Sequence, residues 1–447
     1  MKPLSNTNNI PLLLKENTLA KPKNVIVAQS GGPSPVINNS LRGVVETCLS
    51  LRKHFGTIYA GHYGIEGVLK EELLDLSIQD RSELALLRTT PAQGAIGTCR
   101  YELRPDPEGD LKRIVEVFKA HDIGYFFYIG GNDSMDTAHK VARLAHDSGL
   151  DLVAAGIPKT LDNDIGDDEF RLIDHTPGYG SVARFWALQI RNLNENNKGQ
   201  CLFRPVTVIQ AMGRKIGFIP AAARLADPER EMPLLIFLCE AGHTLEELAD
   251  LVNDMLRQRG RAMVVVSEGL EVGDLGVLRD AFGHLVMGAT RTTVAQILIN
   301  YLNDVGLATR GVAVCDIPAQ DQHHNIFYAS TVDLDEAYNL GCHAVFIALE
   351  KGSGYMATIL REPGPIYRVR YDKVPLELVA NSEREFPQAW IAPCRTDVTD
   401  DFVRYARPLI GNEMISVPLA NGVQRFARLK PIFAEKKLPD YIPMNYR

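Results

Sequence analysis

The chain predicts an α/β fold of two three-layer lobes with a cleft between them, on three observations. From Lys23 onward, β-rich apolar runs alternate with segments of helical period, the pattern of a parallel sheet with helices on both faces. The same theme repeats in the middle of the chain, and 447 residues are enough to bury more than one core. Several runs end in glycine-rich or acidic loops, and ligands of open parallel sheets sit beyond the C-terminal strand ends.

In chain order, Asn24 to Ala28 reads as a strand, followed by a Gly-Pro loop and a helix from about Val36 to Ser50. Tyr125 to Ile129 is a second strand, with a helix from about Met135 to His146, and Leu152 to Gly156 a third. In the second half, Val206 to Ile209, Leu234 to Leu238 and Met263 to Val266 read as strands, with helices near Leu245 to Arg257 and Thr292 to Leu302. Past Gly352, Tyr355 to Leu360 and Ile366 to Arg370 read as a hairpin around Glu362-Pro363-Gly364, and a Pro-spaced tail follows. The expected organisation is a flexible extension over 1–22, Rossmann-like lobes over 23–173 and 174–322, and a return segment over 323–447 whose hairpin and tail pack on both lobes.

Composition narrows the partners. A net charge of −7 argues against broad nucleic-acid or anionic-membrane binding, while local arginines leave room for a small phosphorylated ligand. The seven cysteines are scattered without a C-x-x-C pair, which fits reduced thiols in a cytoplasm better than a disulfide framework or a zinc site. The apolar patch Ile10 to Leu14 is too short for a signal-peptide core, and no apolar run reaches membrane-spanning length.

The chemistry lies in the loops. Gly31-Gly32, before a helix N-terminus, would offer backbone N–H groups to an anion, although a strand–helix turn with no ligand reads the same way. Gly94 to Arg100 is a flexible loop ending in a cation suited to phosphate; a surface arginine is the rival reading. In Gly130-Gly131-Asn132-Asp133-Ser134, two glycines, an amide, a carboxylate and a capping hydroxyl make a phosphate and metal pocket, with Asn132 and Asp133 the metal candidates; plain helix capping is the alternative.

Lys159-Thr160-Leu161-Asp162-Asn163-Asp164 is sharper still. Asp162 is suited to accept a proton from a hydroxyl, Thr160 to bind substrate or a phosphate oxygen, and Lys159 to bind a donor phosphate. A solvated acidic turn, extended by Asp167 and Asp168, is the competing account. Met212-Gly213-Arg214 and Ser267-Glu268-Gly269 put polar groups at further strand ends, where a sugar would lie or where they would only cap structure.

These segments, in this order, resemble the phosphofructokinase family and in particular its pyrophosphate-dependent branch, from about Asn24 to Ile410. Asp174-His175-Thr176-Pro177-Gly178, Asp280-Ala281-Phe282-Gly283-His284, Val379-Ala380-Asn381 and Arg404-Tyr405-Ala406-Arg407-Pro408 add to the likeness. The resemblance implies a phosphofructokinase fold whose first lobe binds the donor phosphates and whose second binds the sugar. It implies Asp162 as the base at the sugar 1-hydroxyl, Asp164 assisting near Mg²⁺, and Gly31, Arg100 and Gly131 on the donor phosphates. Met212, Gly213, Arg214 and Glu268 would hold the sugar. It also implies a homo-oligomer, dimer or tetramer, because such enzymes complete the sugar-phosphate pocket from a neighbouring subunit.

The donor follows from one position. ATP-using relatives carry a glycine where this chain has Asp133; a carboxylate there fills the space of the nucleotide's inner phosphate and repels it, whereas Lys159 suits the compact pyrophosphate. Two departures bear on the rest. Asn132 stands where many members have an aspartate. Before Ala329-Ser330, Gln322-His323 stands where the family's Gln-Arg grips the sugar 6-phosphate, and Arg310-Gly311 matches the preceding Arg-Gly only with residues inserted after it. A protonated His323 or His324 would partly replace that arginine. The expected activity is therefore Mg²⁺-dependent, reversible transfer from pyrophosphate to fructose 6-phosphate. The alternatives are another sugar or polyol acceptor, or a non-catalytic paralogue, against which Asp162 and Lys159 speak.

Overall fold

The computed structural model describes residues 21–104, 109–276, 278–279, 285–286 and 289–447. The expected extension up to residue 20, and the Asp280–His284 match, lie outside the described residues.

Two sheets organise the chain. The first half supplies β1 (Lys23–Gln29), β2 (Phe55–Gly61), β3 (Leu73–Asp75), β4 (Ile123–Gly130) and β5 (Val153–Pro158). The middle supplies β6 (Val206–Ala211), β7 (Leu234–Phe237) and β8 (Ala262–Ser267), a small antiparallel pair β9 (Leu278–Arg279) and β10 (Leu285–Val286), and β11 (Ala313–Asp316). The chain then returns to the first sheet with β12 (Tyr355–Arg361) and β13 (Val369–Pro375). The first sheet runs β13-β12-β5-β4-β1-β2-β3, parallel except at its edges β13 and β3. The second runs β11-β6-β8-β7 and is parallel throughout.

Each sheet is covered on both faces, because successive strand residues point to opposite sides. Val25, Val27, Phe127 and Ile129 pack against the helices Ile37–Ser50 and Thr331–Lys351. Their neighbours Ile26, Ala28, Phe126 and Tyr128 face the helices Asp110–Ala120 and Asn132–Asp147. In the second lobe, Val208 and Val264 meet the helices Leu245–Arg259 and Val294–Val305, while Ile209 and Val265 meet the helix Tyr179–Gln200. Burying each such side chain is worth about 1.5–3 kcal/mol, so both faces of both sheets are firmly held. The result is two Rossmann-like three-layer lobes.

The last segment reaches both lobes. Phe386, Phe402 and Leu409 join the second core, and Ala427, Leu438 and Tyr441 lie against the first. The late hairpin differs in one respect from expectation. Arg361 pairs with Val369 and the Glu362 N–H donates to the Arg368 carbonyl, so its second strand begins at Val369 instead of Ile366. Pro365 has no N–H for the ladder, which leaves a longer turn and an exposed Ile366.

Candidate active site

The loops of interest leave the first sheet side by side. Gln29 pairs with Ile129, and Gly130 with Pro158, so β1, β4 and β5 end level at one edge. From β1 the sheet grows outward through β2, and from β4 in the other direction through β5. The crevice beyond β1 and β4 is therefore a topological switch point. Close packing there needs glycine. Gly31 has φ of +81°, and a Cβ on it would lie 3.4 Å from Lys159 Nζ. A Cβ on Gly130 would run into the Ser134 side chain.

One cavity gathers the predicted donor residues Gly31, Gly32, Arg100, Gly131, Asp133 and Ser134 with Asn132. Lys159, Thr160, Asp164, Ser30 and, from the second lobe, Arg214 complete its walls. Lys159 is buried, and its Nζ donates to the Gly32 carbonyl at 2.7 Å. Burial pushes its pKa down to about 8, against the pull of the Asp162 carboxylate.

Carboxylates face this cation. Asp164 is buried, its pKa is raised by burial and by Asp162, and its Oδ1 has no hydrogen-bond partner. Asp162 Oδ2 lies 3.7 Å from Arg214 Nε, a pair that spans the cleft between the lobes. Burial opposes the charge of Arg214, yet Asp162, Asp164, Asp133 and Glu268 together hold it. Thr160 Oγ1 accepts the Asp162 N–H at 3.1 Å, which fixes the turn carrying the acids.

The second lobe adds the turn after β6. Glu268, at the end of β8, accepts N–H bonds from Gly213 at 3.2 Å and Arg214 at 3.1 Å, and burial raises its pKa to about 7. Gln322 Oε1 accepts from Trp186 Nε1 at 2.9 Å and from the Met212 N–H at 3.3 Å. Gln322 thereby sets the position of Met212.

Three of the predicted residues sit less simply. Burial, with the charges of His324, Lys159 and Arg100, drives His323 down to about 4, which opposes a protonated His323 in place of an arginine. Its Nδ1 is buried and has no partner. Arg310 is exposed and lies at the opposite end of its sheet from Met212: Ala313 pairs with Val206, the first residue of β6, whereas Met212 follows the last. At about 3.3 Å per residue the two ends are ~20 Å apart, so Arg310 does not reach this chain's cleft. Asn132 has its amide engaged, Nδ2 donating to the Ser382 carbonyl at 2.8 Å and Oδ1 accepting the Asp133 N–H at 2.9 Å. Those bonds fix its orientation and leave Oδ1 one further lone pair.

Asn163, which carried no role in the sequence reading, is fully buried at φ +60° between the two aspartates. Its Oδ1 accepts the Thr176 N–H at 2.9 Å, and its Nδ2 donates to the Tyr405 hydroxyl at 2.8 Å. An asparagine between two aspartates was the available signal, because asparagine tolerates the left-handed region. Behind it, His175 bridges Asp174 Oδ2 at 2.8 Å and Glu336 Oε2 at 2.7 Å. Burial works against its charge, but the two carboxylates raise its pKa to about 9. Among the described residues no group of three or more His, Cys, Asp or Glu side chains is placed to hold a metal ion.

Two α/β lobes that close a cationic, glycine-lined pocket against a pair of aspartates define a phosphotransferase. Residues 24–314 match the phosphofructokinase family model. The pyrophosphate–fructose 6-phosphate 1-phosphotransferase of Methylococcus capsulatus is 37% identical over 429 residues, 93% of this chain and 98% of that protein. A sulfofructose kinase of Alkalicoccus urumqiensis is 28% identical over 375 residues, 82% of this chain and 91% of that one. The crystal structure of pyrophosphate-dependent phosphofructokinase from Marinobacter aquaeolei superposes with a TM-score of 0.84 at 35% identity, over 94% of this chain and 100% of that chain. The chain belongs to the phosphofructokinase family.

Proposed function

We propose that the protein transfers a phosphoryl group from pyrophosphate to the 1-hydroxyl of fructose 6-phosphate, reversibly, as a step of glycolysis and gluconeogenesis. The observation that carries this reading is Lys159, buried against the Gly32 carbonyl in a pocket that also contains Asp133. A lysine there neutralises a compact diphosphate, and the Asp133 carboxylate opposes the inner phosphate of a nucleotide.

Asp162 accepts the proton of the sugar 1-hydroxyl as its oxygen attacks phosphorus; the bridging P–O bond breaks and orthophosphate leaves. Arg214 and Arg100 hold charge on either side of the transferring group. Glu268, Met212 and Gly213 hold the sugar. Pyrophosphate and the phosphoester product are of similar energy, so the same groups serve both directions.

The residues present fit a Mg²⁺ ion. Asp164 offers an unpartnered buried carboxylate oxygen, and Asp133 lines the same cavity. Mg²⁺ sites built on one or two carboxylates plus substrate phosphates need no larger protein cluster. When bound, the ion would neutralise charge on the donor oxygens.

A homodimer or homotetramer is part of the proposal. Arg310 sits near exposed Leu202, Phe203 and Val312, an apolar surface away from the chain's own cleft and available to a neighbouring copy. All seven cysteines are free, which supports a reducing, cytoplasmic setting. No helix among the described residues is long and apolar enough to cross a membrane.

One observation favours a second reading of the acceptor. A neutral His323 offers a phosphate dianion one N–H donor and no countercharge, where an arginine would offer a bidentate ion pair. An acceptor with a less charged far end, such as a sulfonated sugar or an unphosphorylated sugar or polyol, would lose less. Purified protein with Mg²⁺ and pyrophosphate, offered fructose 6-phosphate beside such acceptors, decides between them. Preferred turnover of fructose 6-phosphate supports the first reading, and turnover confined to the others supports the second.

A further inference from the structure

The C-terminal tail is threaded along the first lobe by bonds to residues more than 300 positions away. It first extends the sheet beyond β3: the Asp75 N–H donates to the Ile432 carbonyl, the Ala434 N–H to the Leu73 carbonyl, each at 2.8 Å, and Leu74 bridges Phe433. Buried Glu71 then accepts the N–H groups of Lys437 and Leu438, both at 3.0 Å.

Two further contacts fall on either side of one loop. Before it, Thr90 Oγ1 accepts the Ala427 N–H at 2.8 Å. After it, the Tyr101 hydroxyl accepts the Asn445 N–H at 3.2 Å and donates to Asp110 Oδ2 at 2.5 Å. Asp110 Oδ1 in turn accepts from the Tyr441 hydroxyl at 2.9 Å and the Met444 N–H at 3.1 Å. Thr90, Tyr101 and Asp110 are all buried.

Between these fixed ends lies the segment that carries Gly94, Gly97 and Arg100. Its interior grips the first glycine loop: Thr98 Oγ1 donates to the Gly31 carbonyl at 3.1 Å, and the Gly31 N–H donates to the Cys99 carbonyl at 3.2 Å. A loop with two glycines has many conformations to lose, so holding both ends reduces what a ligand must order.

We infer that the C-terminal tail is a strap that positions the Arg100 loop over the donor pocket, with Thr90 and Tyr101 as its positioning residues. Neither touches the donor; each acts through the loop between them. The inference rests on the proposed reading of Gly31 and Arg100 as donor-phosphate groups.

Tyr101→Phe and, on the tail itself, Tyr441→Phe each remove one hydroxyl from the strap in the full chain. Both variants are expected to raise KM for pyrophosphate by roughly tenfold, with kcat and the KM for sugar changed less than about twofold. Hydrogen exchange in the 94–100 stretch should be faster in both variants and slowed again by pyrophosphate. Unchanged exchange there, with an unchanged pyrophosphate KM, overturns the strap. So does an even loss of all kinetic constants with a lowered melting temperature, which would show a merely structural role. If the unaltered protein turns over no pyrophosphate, the functional reading fails, and the exchange comparison alone still decides the strap.

Discussion

Lys159 and Gly32 come from different loops, yet the lysine's ammonium donates to the glycine's carbonyl at 2.7 Å, closing the pocket from below. Gly31, the residue before Gly32, turns with positive φ, a conformation that glycine adopts without strain. The buried cation is thereby aimed at the space where a diphosphate would lie.

Replacing that cation removes a charge-assisted bond to the donor. Lys159→Met is expected to raise KM for pyrophosphate about 10–100-fold, measured by steady-state kinetics at saturating sugar. In the unaltered enzyme, kcat/KM for pyrophosphate should fall above about pH 8, where the free lysine loses its proton. kcat should hold to higher pH, since bound diphosphate keeps the proton on.

Asp162→Asn keeps the shape and removes the base. Its kcat should drop by at least ~10²-fold while both KM values move little. A mild effect would transfer the role to another group.

Asp133→Gly opens the space that a nucleotide's inner phosphate would fill. The variant should gain measurable turnover with ATP and lose some with pyrophosphate. Donor preference identical to the parent would refute the steric and electrostatic account of Asp133.

His175 ties the acid loop's support to pH. Its folded pKa is raised from 6.5 to about 9, so its stabilisation is complete below pH 6.5 and is lost as pH rises through about 9. The span corresponds to about 3 kcal/mol. Lys159, whose pKa is lowered, acts in the opposite sense above about pH 8, so the melting curves are best compared in a Lys159→Met background. Thermal stability that is flat from pH 6.5 to 9.5 would contradict the bridging imidazolium.

The donor pocket was readable from sequence because each of its parts is one unbroken segment: Gly31-Gly32, Gly130 to Ser134, Lys159 to Asp164. Strand ends bring such segments together without further information. β2 and β3 were not foreseen. β2 carries two glycines and β3 has three residues, so neither shows a clean apolar run. The distance of Arg310 from this chain's own cleft was not legible, because motif spacing says nothing of strand direction and the direction of β11 sends it away. The charge state of His323 was not legible, because burial, invisible along the chain, governs it. The roles of Asn163 and Tyr405 depend on a hydrogen bond between residues 242 positions apart.

The central claim is that the pocket between Lys159 and Asp133 accepts pyrophosphate and rejects the nucleotide. Initial rates with Mg²⁺ and a saturating acceptor, pyrophosphate against ATP, test it directly. The account predicts a kcat/KM at least roughly a hundredfold higher for pyrophosphate. Equal or faster turnover with ATP would contradict it.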